Sequence, residues 1–330
     1  MKKIEEQIRC NQTYIGPSNG EKTLKLIPAT GIQSVLTNGY KIFLGLTHHG
    51  FFKKMEDERY LKLLYRGVLG RRLHLDPPVL YSEKIQWLKL HDKNPMYPML
   101  CDKLAVRDFV REQVGEEYLI DLFGTWADPE QIDFSVLPDQ FVLKCTHDSG
   151  SVIICKDKKT FDFDAAKIAL KKRLANDYSI PGREWPYRDV PRRVLAERYL
   201  INEDGSQAMD FKFFCFDGKA HLVLVCTNKT DPGSGNYTFL PDFSPFRIYQ
   251  SRVSESEEPR LAKPDCFDAM IEVAERLGAG LVHARVDLYD TPAGIKFGEM
   301  TLHSSSGLSQ TMTERGERFL GDLLHLENVK

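Results

Sequence analysis

Two runs of alternating polar and apolar residues near the end of the chain constrain its fold more than any other feature. They span residues 281–289 and 294–300 and are separated only by residues 290–293. Such alternation is typical of strands, because every second side chain lies on the same face. The polar side chains that share a face are His283, Arg285 and Asp287 in the first run, and Glu299, Thr301 and His303 in and after the second. If the two strands pair in antiparallel fashion, an arginine and two carboxylates lie on one surface.

Two neighbouring carboxylates in a mostly apolar sheet are costly unless a cation neutralises them. Asp287 and Glu299 offer hard oxygen ligands, which suit Mg²⁺. The same residues allow a second interpretation, in which Arg285 and Glu299 form a buried ion pair. The pattern alone leaves both interpretations open.

A second feature is the stretch 141–152, in which Lys144 interrupts an apolar, β-favouring run and is followed by Ser149, Gly150 and Ser151. One cation beside a loop rich in backbone N–H groups is a plausible phosphate-binding arrangement. The alternative is a surface lysine ahead of an ordinary hairpin turn.

A third feature is the run 195–204, which predicts a strand that leaves its sheet at a polar loop. The exposed backbone of such a strand can pair with the edge of a purine. Glu197 would then hold an amino group, and Asp204 would hold a ribose. An exposed strand end with acidic residues is the alternative.

The composition is that of an ordinary globular protein. The chain has 330 residues, of which 42% are hydrophobic and 28% charged, and its formal net charge is −2. A nucleic-acid partner is not expected, because the broad basic excess of such proteins is missing. The seven cysteines are scattered and odd in number, which predicts reduced thiols. No apolar run approaches the roughly 20 residues of a membrane helix, and the acidic start of the chain does not match a signal peptide. We therefore expect a cytoplasmic protein.

The periodicity predicts a mixture of helices and strands, that is, an α/β chain of the α+β type. Helices are expected over residues 83–91, 102–114, 163–175, 264–277 and 313–326. Further strands are expected around residues 118–122, 193–201, 210–216 and 221–227.

The order of these features resembles the ATP-grasp superfamily. A lysine at a helix start, Lys103, is followed by the lysine strand with its Gly/Ser loop, an acidic strand end, a lysine in residues 210–212, Arg-x-Asp and Glu-x-Thr. The chain is more specifically similar to the TupA-like branch, through residues 82–90, 102–107, 132–144 and 298–301. The resemblance covers roughly residues 60–325 and implies two α+β lobes that clamp a nucleotide, with an N-terminal helical region. The expected division is a mainly helical region over 1–100, a lobe with the lysine strand over 101–200 and a lobe with the metal site over 201–330.

The resemblance also implies roles for individual residues. The expected ATP-binding residues are Lys103 and Lys144 at the α- and β-phosphates, the Ser149, Gly150 and Ser151 loop as a lid, the backbone of Arg198 and Leu200 at adenine, Glu197 at the amino group and Asp204 at the ribose. The expected catalytic residues are Lys212 at the γ-phosphate and Arg285 at the charge that develops on transfer. Asp287 and Glu299 would hold one or two Mg²⁺ ions, so ATP and Mg²⁺ are the implied cofactors.

One residue departs from the pattern of the superfamily. Many ATP-grasp enzymes have asparagine at the position of Thr301, and a hydroxyl is a weaker metal ligand than an amide oxygen. Thr301 is therefore expected either to bind a second Mg²⁺ loosely or only to orient Glu299. His303, Ser304, Ser305 and Ser306 are candidates for an acceptor pocket, and a serine run is also typical of a loop or helix cap.

The function that the resemblance implies is ATP-dependent ligation of a carboxylate to an amine through an acyl phosphate. In this branch the expected reaction attaches an amino acid to a uronic acid of a cell-surface polysaccharide or its precursor. The expected partners are ATP, a carboxylate-bearing saccharide and an amine, with peripheral association with polysaccharide assembly proteins. The alternatives are a kinase acting on a sugar or lipid-linked hydroxyl and a glycosyltransferase of polysaccharide biosynthesis.

Overall fold

The computed structural model of the chain describes residue 47 and residues 51–227, 235–251 and 261–329. The histidines at 48 and 49, Cys10, the acidic stretch 254–258 and most of the polar loop 231–236 lie outside these ranges. None of the helices within them combines the length and apolar character of a membrane-spanning segment.

The described elements come in blocks of helices and blocks of strands along the chain. The helices are α1 (Asp57–Leu69), α2 (Tyr81–His91), α3 (Tyr97–Cys101), α4 (Val106–Gln113), α5 (Phe163–Ala175), α6 (Ser179–Gly182), α7 (Phe267–Gly278) and α8 (Glu314–Leu323). The strands are β1 (Leu122–Trp126), β2 (Phe141–Cys145), β3 (Ile153–Cys155), β4 (Val194–Arg198), β5 (Met209–Phe216), β6 (Lys219–Cys226), β7 (Asn236–Phe239), β8 (His283–Thr291) and β9 (Gly294–Thr301).

The first sheet has the strand order β1-β4-β2-β3, and its neighbouring strands are antiparallel. Phe141, Leu143 and Cys145 of β2 pack with α5 into one apolar core. The alternating residue Lys144 of β2 therefore points to the opposite face. Glu197 of β4 reaches the same face and contacts it there.

The second sheet has the order β7-β6-β5-β8-β9 and is also antiparallel. Phe211 and Phe213 of β5 pack with α7 in the largest core of the molecule. The predicted pairing of β8 with β9 is confirmed, with Asp287 opposite Glu299. The arginine and the two carboxylates therefore share a surface, as the alternation predicted.

The other face of the second sheet is divided along β5. Phe214 and Phe216 are covered by α2 and α8, whose Tyr81 and Leu320 belong to the same core. The next residue of β5 on that face is Lys212, which begins a charged region. On this face of the sheet, a charged surface therefore lies next to helices α2 and α8.

The first described helices form the N-terminal helical region that was predicted. Tyr60, Leu61 and Leu64 of α1 build a small apolar core with Leu308. The α+β class is confirmed, since helices cover two antiparallel sheets.

Most element bounds follow local signals. Helix α5 has the predicted bounds because Asp162 caps it by accepting a hydrogen bond from the Ala165 N–H at 2.9 Å. The strand predicted over 118–122 was wrong. A 3₁₀ turn occupies Glu116–Tyr118, and the strand begins only at Leu122.

Candidate active site

A row of five charged side chains crosses three neighbouring strands of the second sheet. Its members are Asp210 and Lys212 on β5, Arg285 and Asp287 on β8, and Glu299 on β9. The Lys212 Nζ lies 2.5 Å from Asp210 Oδ2 and 2.6 Å from Asp287 Oδ2. Cross-strand register explains the second contact, because Lys212 and Asp287 are direct partners.

Arg285 joins the two carboxylates that were predicted to bind metal. Its Nε and Nη2 donate to the two oxygens of Asp287 at 2.7 and 2.8 Å. The same Nη2 lies 3.1 Å from Oε1 of Glu299, and Nη1 donates to Ser304 Oγ at 3.1 Å. The ion pair that competed with the metal interpretation is therefore present in the structure.

Burial and ion pairing act in opposite directions on the pKa values of the buried members of the row. Burial alone would raise the pKa of Asp287, but Arg285 and Lys212 hold that pKa below its ordinary value. Burial would lower the pKa of Lys212, but Asp210 and Asp287 raise it well above the usual range. The pKa of Asp210 is raised, chiefly by burial. With three carboxylates against two cations, the fully ionised row carries an excess of one negative charge.

This excess and the exposure of Glu299 fit a divalent cation bound together with phosphate oxygens. The Glu299 side chain is 28% exposed, against 2% for Asp287, and its Oε2 receives no hydrogen bond from a described residue. No group of three or more His, Cys, Asp or Glu residues in the described ranges is arranged to hold a metal ion. Mg²⁺ commonly binds through only one or two carboxylates, with water and phosphate as its other ligands. Two protein carboxylates therefore suffice for an ion that arrives with a nucleotide.

Thr301 lies beside Glu299 on the same face of β9. Its hydroxyl donates to Glu299 Oε1 over 3.4 Å. This contact favours the second of the two expected roles, in which the threonine orients the carboxylate.

The first sheet contributes an ion pair on the face opposite α5. Lys144 Nζ lies 2.8 Å from Glu197 Oε2, and Arg107 Nη1 lies 3.4 Å from the other oxygen. Only 13% of the Lys144 side chain and 9% of the Glu197 side chain are exposed. The lysine is therefore not the exposed surface lysine of the alternative interpretation.

The loop after β2 is held by its own polar groups. Ser151 Oγ accepts from the Cys145 N–H at 2.9 Å and donates to Asp148, and both Ser151 and Asp148 are buried. Lys103 donates to the backbone carbonyl of Asp148. Ser149 and Gly150, at the tip of the loop, are more accessible. Lys103 thus contacts Asp148, the residue just before the predicted lid, and the tip is the part of the loop exposed to solvent.

The strand end after β4 borders an open cleft. The cleft has a volume of ≈ 670 Å³, and its lining includes Arg198, Leu200 and the β8–β9 turn at Thr291. Asp204 lies in a solvent-exposed turn, where its Oδ1 accepts from the Ser206 N–H at 2.9 Å. Hydrogen bonds from Ser206 lower the pKa of Asp204. The structure therefore brings Arg198 and Leu200 to one cleft and leaves Asp204 at the surface.

Comparison of the sequence with known protein families identifies the family to which it belongs. The family described as TupA-like ATPgrasp matches residues 83–325, which is most of the chain and includes both sheets. The chain belongs to the TupA-like ATP-grasp family. Among curated proteins, none matches its sequence significantly.

Several solved structures are similar to this family member at low identity. D-alanine–D-alanine ligase from Bacillus anthracis, in complex with ATP, has 16% identity and a TM-score of 0.41, over 68% of this chain and 65% of the ligase. D-cycloserine synthetase has 16% identity and a TM-score of 0.41, over 72% of this chain and 73% of its own. The ATP-grasp ligase PsnB, complexed with a minimal precursor, Mg and ADP, has 12% identity and a TM-score of 0.39, over 86% of this chain and 74% of its own.

Sequence reasoning missed two charged residues of the site in this TupA-like chain. Asp210 lies two residues before Lys212 on the same face of β5, and this spacing could have identified it. Arg107 comes from α4, and it approaches Glu197 only through tertiary packing. Periodicity could not have found the second residue.

The site also has a wall of neutral hydroxyl groups beside Arg285. Tyr81, Tyr249 and Ser304 line one small pocket together with Ser305, Ser309 and the carboxylate Glu317, which pairs with Arg71. Burial raises the pKa of Tyr249 to about 12, and burial also raises the pKa of Tyr81 well above its ordinary value. These hydroxyls therefore remain protonated at neutral pH and can donate hydrogen bonds. The charged row lies on one side of Arg285, and hydroxyl groups together with the Glu317 carboxylate lie on the other.

Proposed function

We propose that this TupA-like ATP-grasp protein is an ATP-dependent carboxylate–amine ligase that joins an amino acid to a uronic acid of a cell-surface polysaccharide or its precursor. The observation that carries the proposal is the contact of Arg285 with Asp287, Glu299 and Ser304 at once. This arginine lies where the charged row meets the hydroxyl wall. A phosphate transferred from the charged side to an acceptor on the hydroxyl side would pass it.

The nucleotide would lie between the two sheets. Lys144 would contact its phosphates from the first sheet, and Lys103 would contact them from the turn just before α4. Lys212 would reach the γ-phosphate from the second sheet. Asp287 and Glu299 would hold Mg²⁺, which when bound neutralises part of the phosphate charge. Phosphoryl transfer depends mainly on such positioning and charge neutralisation, so these residues provide the kind of help that the reaction needs.

The chemistry proceeds in two steps. A carboxylate oxygen of the acceptor attacks the γ-phosphorus while the bond from that phosphorus to the bridging β,γ-oxygen breaks, which releases ADP. Arg285 would stabilise the negative charge on the transferred phosphoryl group. The amine nitrogen then attacks the carbonyl carbon of the acyl phosphate, and its C–O bond breaks as inorganic phosphate leaves. The nitrogen loses a proton to solvent, so the products are an amide, ADP and phosphate.

The hydroxyl groups beside Arg285 support the saccharide part of the proposal as a surface against which a sugar would lie, because the pocket that they line has a volume of only ≈ 10 Å³, about one water. Tyr81, Tyr249 and Ser304 are neutral hydrogen-bonding groups beside the arginine that would contact the transferred phosphoryl group. Sugar hydroxyls both donate and accept hydrogen bonds, so the hydroxyl side chains and the Glu317 carboxylate of this pocket can serve as their partners.

The test is to incubate the purified chain with ATP, Mg²⁺, methyl glycosides of glucuronic and galacturonic acid, and a pool of amino acids. ADP is followed by chromatography, and the product is followed by mass spectrometry. We expect ADP formation that needs both the uronate and the amino acids, and a product with the mass of their amide.

Two other results would each overturn the proposal. A sugar phosphorylated on a hydroxyl group, and not on its carboxylate, formed without any amine would identify a kinase. ADP formation at the same rate with and without the uronate and the amino acids would exclude the ligase reaction with these substrates. Glu299→Ala provides the inactive reference and Glu314→Ala the matched control, because Glu314 lies on the exposed surface of α8 paired with Arg318.

A further inference from the structure

The segment after β9 contains three consecutive residues in the left-handed region. Their φ angles are +50° at Ser305, +54° at Ser306 and +63° at Gly307. Glycine adopts this conformation freely, whereas serine does so at a cost in free energy. A turn with two left-handed serines needs support from its surroundings.

Helix α2 supplies that support through two neighbouring side chains. Lys89 Nζ donates to the carbonyl oxygen and to the hydroxyl oxygen of Ser306, both at 2.7 Å. Gln86 Nε2 donates to the same carbonyl at 2.9 Å, and its Oε1 accepts from Lys89 at 3.0 Å. Lys89 is 2% exposed and Gln86 is fully buried. The strained carbonyl is therefore held by two donors that solvent barely reaches.

The backbone of the turn also packs directly on this helix. A Cβ added at Gly307 would lie 2.7 Å from the Ile85 Cβ and 2.6 Å from Gln86 Nε2. The position of the turn is thus set by α2 on two sides, by hydrogen bonds and by close packing.

The turn lies next to the candidate active site. It begins at Ser304, whose hydroxyl accepts from Arg285, and it follows Glu299 by only a few residues. Ser304, Ser305 and Gly307 line the small pocket beside Tyr81. A change in the backbone at Ser306 would therefore move the wall of the hydroxyl side without moving the charged row.

We propose that Lys89 is a positioning residue for the acceptor side of the site, acting through the left-handed turn at residues 305–307. This inference rests on the proposed function for its catalytic consequence. Lys89 is nearly completely buried and cannot reach an acceptor itself. Burying a cation costs more free energy than burying an apolar side chain of similar length. What it contributes here is a pair of hydrogen bonds to a strained residue next to the pocket.

The test compares Lys89→Met with Lys84→Met in the full chain. Lys84 is the matched control because it lies on the same helix and also donates to two backbone carbonyls, those of Gly321 and Leu324, both at 2.8 Å. Its partners belong to α8 and the residue after it, not to the turn. A double variant, Lys89→Met with Ser306→Gly, adds a glycine that takes the left-handed conformation without support.

Three measurements are made on each variant. They are the dissociation constant for ATP, the kcat and KM for the methyl glucuronoside in the amino-acid pool, and the hydrogen exchange of the amides in residues 303–309. For Lys89→Met we expect an ATP affinity within twofold of wild type, a KM for the uronate at least tenfold higher, and faster exchange in the turn. The double variant should recover at least part of the lost affinity for the uronate, and Lys84→Met should leave all three unchanged.

The outcomes separate this proposal from the proposed function. A wild-type KM in Lys89→Met would overturn the positioning role, as would a loss in ATP affinity as large as the loss in uronate affinity. Failure of Ser306→Gly to recover any uronate affinity would show that Lys89 acts on the core and not through the turn. If the wild-type chain consumes no ATP with these acceptors, the ligase proposal fails. The exchange data then decide the positioning role, and exchange in the turn of Lys89→Met that is as slow as in Lys84→Met overturns it.

Discussion

Lys144 Nζ and Glu197 Oε2 lie 2.8 Å apart on the face of the first sheet opposite α5, although the two residues are more than fifty positions apart in the chain. Antiparallel pairing of β2 with β4 places Glu197 opposite Val142, two residues along β2 from the lysine and therefore on the same face of the sheet. The pair thus joins the lysine strand to the strand end at which adenine is proposed to bind. A nucleotide phosphate near Lys144 would compete with Glu197 for the positive charge of the lysine.

Lys144→Met should weaken ATP binding about tenfold to a hundredfold, because a charge-assisted hydrogen bond to phosphate is worth about 1.5–3 kcal/mol. ADP formation should be lost, and the fold should be retained. Titration with a fluorescent ATP analogue measures the first effect, and circular dichroism checks the fold. Lys159→Met, in an exposed turn, is the control. An unchanged ATP dissociation constant in Lys144→Met would sink the assignment of this lysine to the nucleotide.

Glu299→Gln should raise the Mg²⁺ concentration that gives half-maximal ADP formation by at least tenfold. An amide is a neutral and weaker ligand than a carboxylate, and the change also takes one negative charge from the row around Arg285. The Mg²⁺ dependence of ADP release measures the effect. Glu314→Gln on the exposed surface of α8 is the control. The metal assignment is wrong if the two variants have the same Mg²⁺ dependence.

Much of this site could be predicted from the sequence because it depends on alternation within strands. The shared surface of Arg285, Asp287 and Glu299 follows from period-two spacing on two adjacent strands, and the structure has that surface. The two-sheet architecture follows from the order of the motifs, which resembles a known family. Both inferences use only local spacing and order along the chain.

The remaining features depend on contacts between distant parts of the chain. Arg107 reaches Glu197 from a helix ninety residues earlier, and Lys89 reaches Ser306 from one more than two hundred residues earlier. A lysine in an amphipathic helix looks like a solvated residue in the sequence, because nothing local shows that its end is buried. The left-handed serines likewise have no sequence signal, since serine rarely adopts that conformation without tertiary support.

Gly307→Ala should destabilise the chain more than Gly205→Ala, although both glycines have positive φ angles, +63° and +78°. A Cβ at Gly205 meets nothing within 4 Å, so only the conformational cost of about 1 kcal/mol applies. A Cβ at Gly307 would also overlap Ile85 and Gln86. Overpacking of this kind adds about 1–3 kcal/mol. Urea denaturation of both variants measures the difference, and equal losses in the free energy of unfolding would contradict the close packing of the turn on α2.

Lys89 should also make the stability of the chain depend on pH in a way that Lys89→Met does not. Burial lowers the pKa of Lys89 from an ordinary 10.5 to about 8, against an opposing effect of Glu184. The buried groups near it are Glu184, whose pKa is lowered, and His303, whose pKa is lowered by its own burial. Neither of these two is expected to change its charge above pH 8.

The sign of the effect follows from proton binding. Below pH 8 the lysine is charged in both the folded and the unfolded chain, so the full cost of burying the charge is present. Between about pH 8 and 10.5 the folded chain loses this proton first while the unfolded chain keeps it, so the free energy of unfolding rises with pH relative to Lys89→Met. The shift corresponds to a gain of about 3 kcal/mol over the whole window.

Urea denaturation of wild type and Lys89→Met at several pH values from 7 to 10.5 measures this difference, and subtraction cancels the titration of all groups that the two chains share. Lys84→Met is the reference, because that lysine is part-buried and its pKa is lowered by burial while Glu327 and Asp322 raise it. Its difference from wild type should change less over the same window. A Lys89→Met difference that stays flat from pH 8 to 10.5 would contradict the lowered pKa of Lys89.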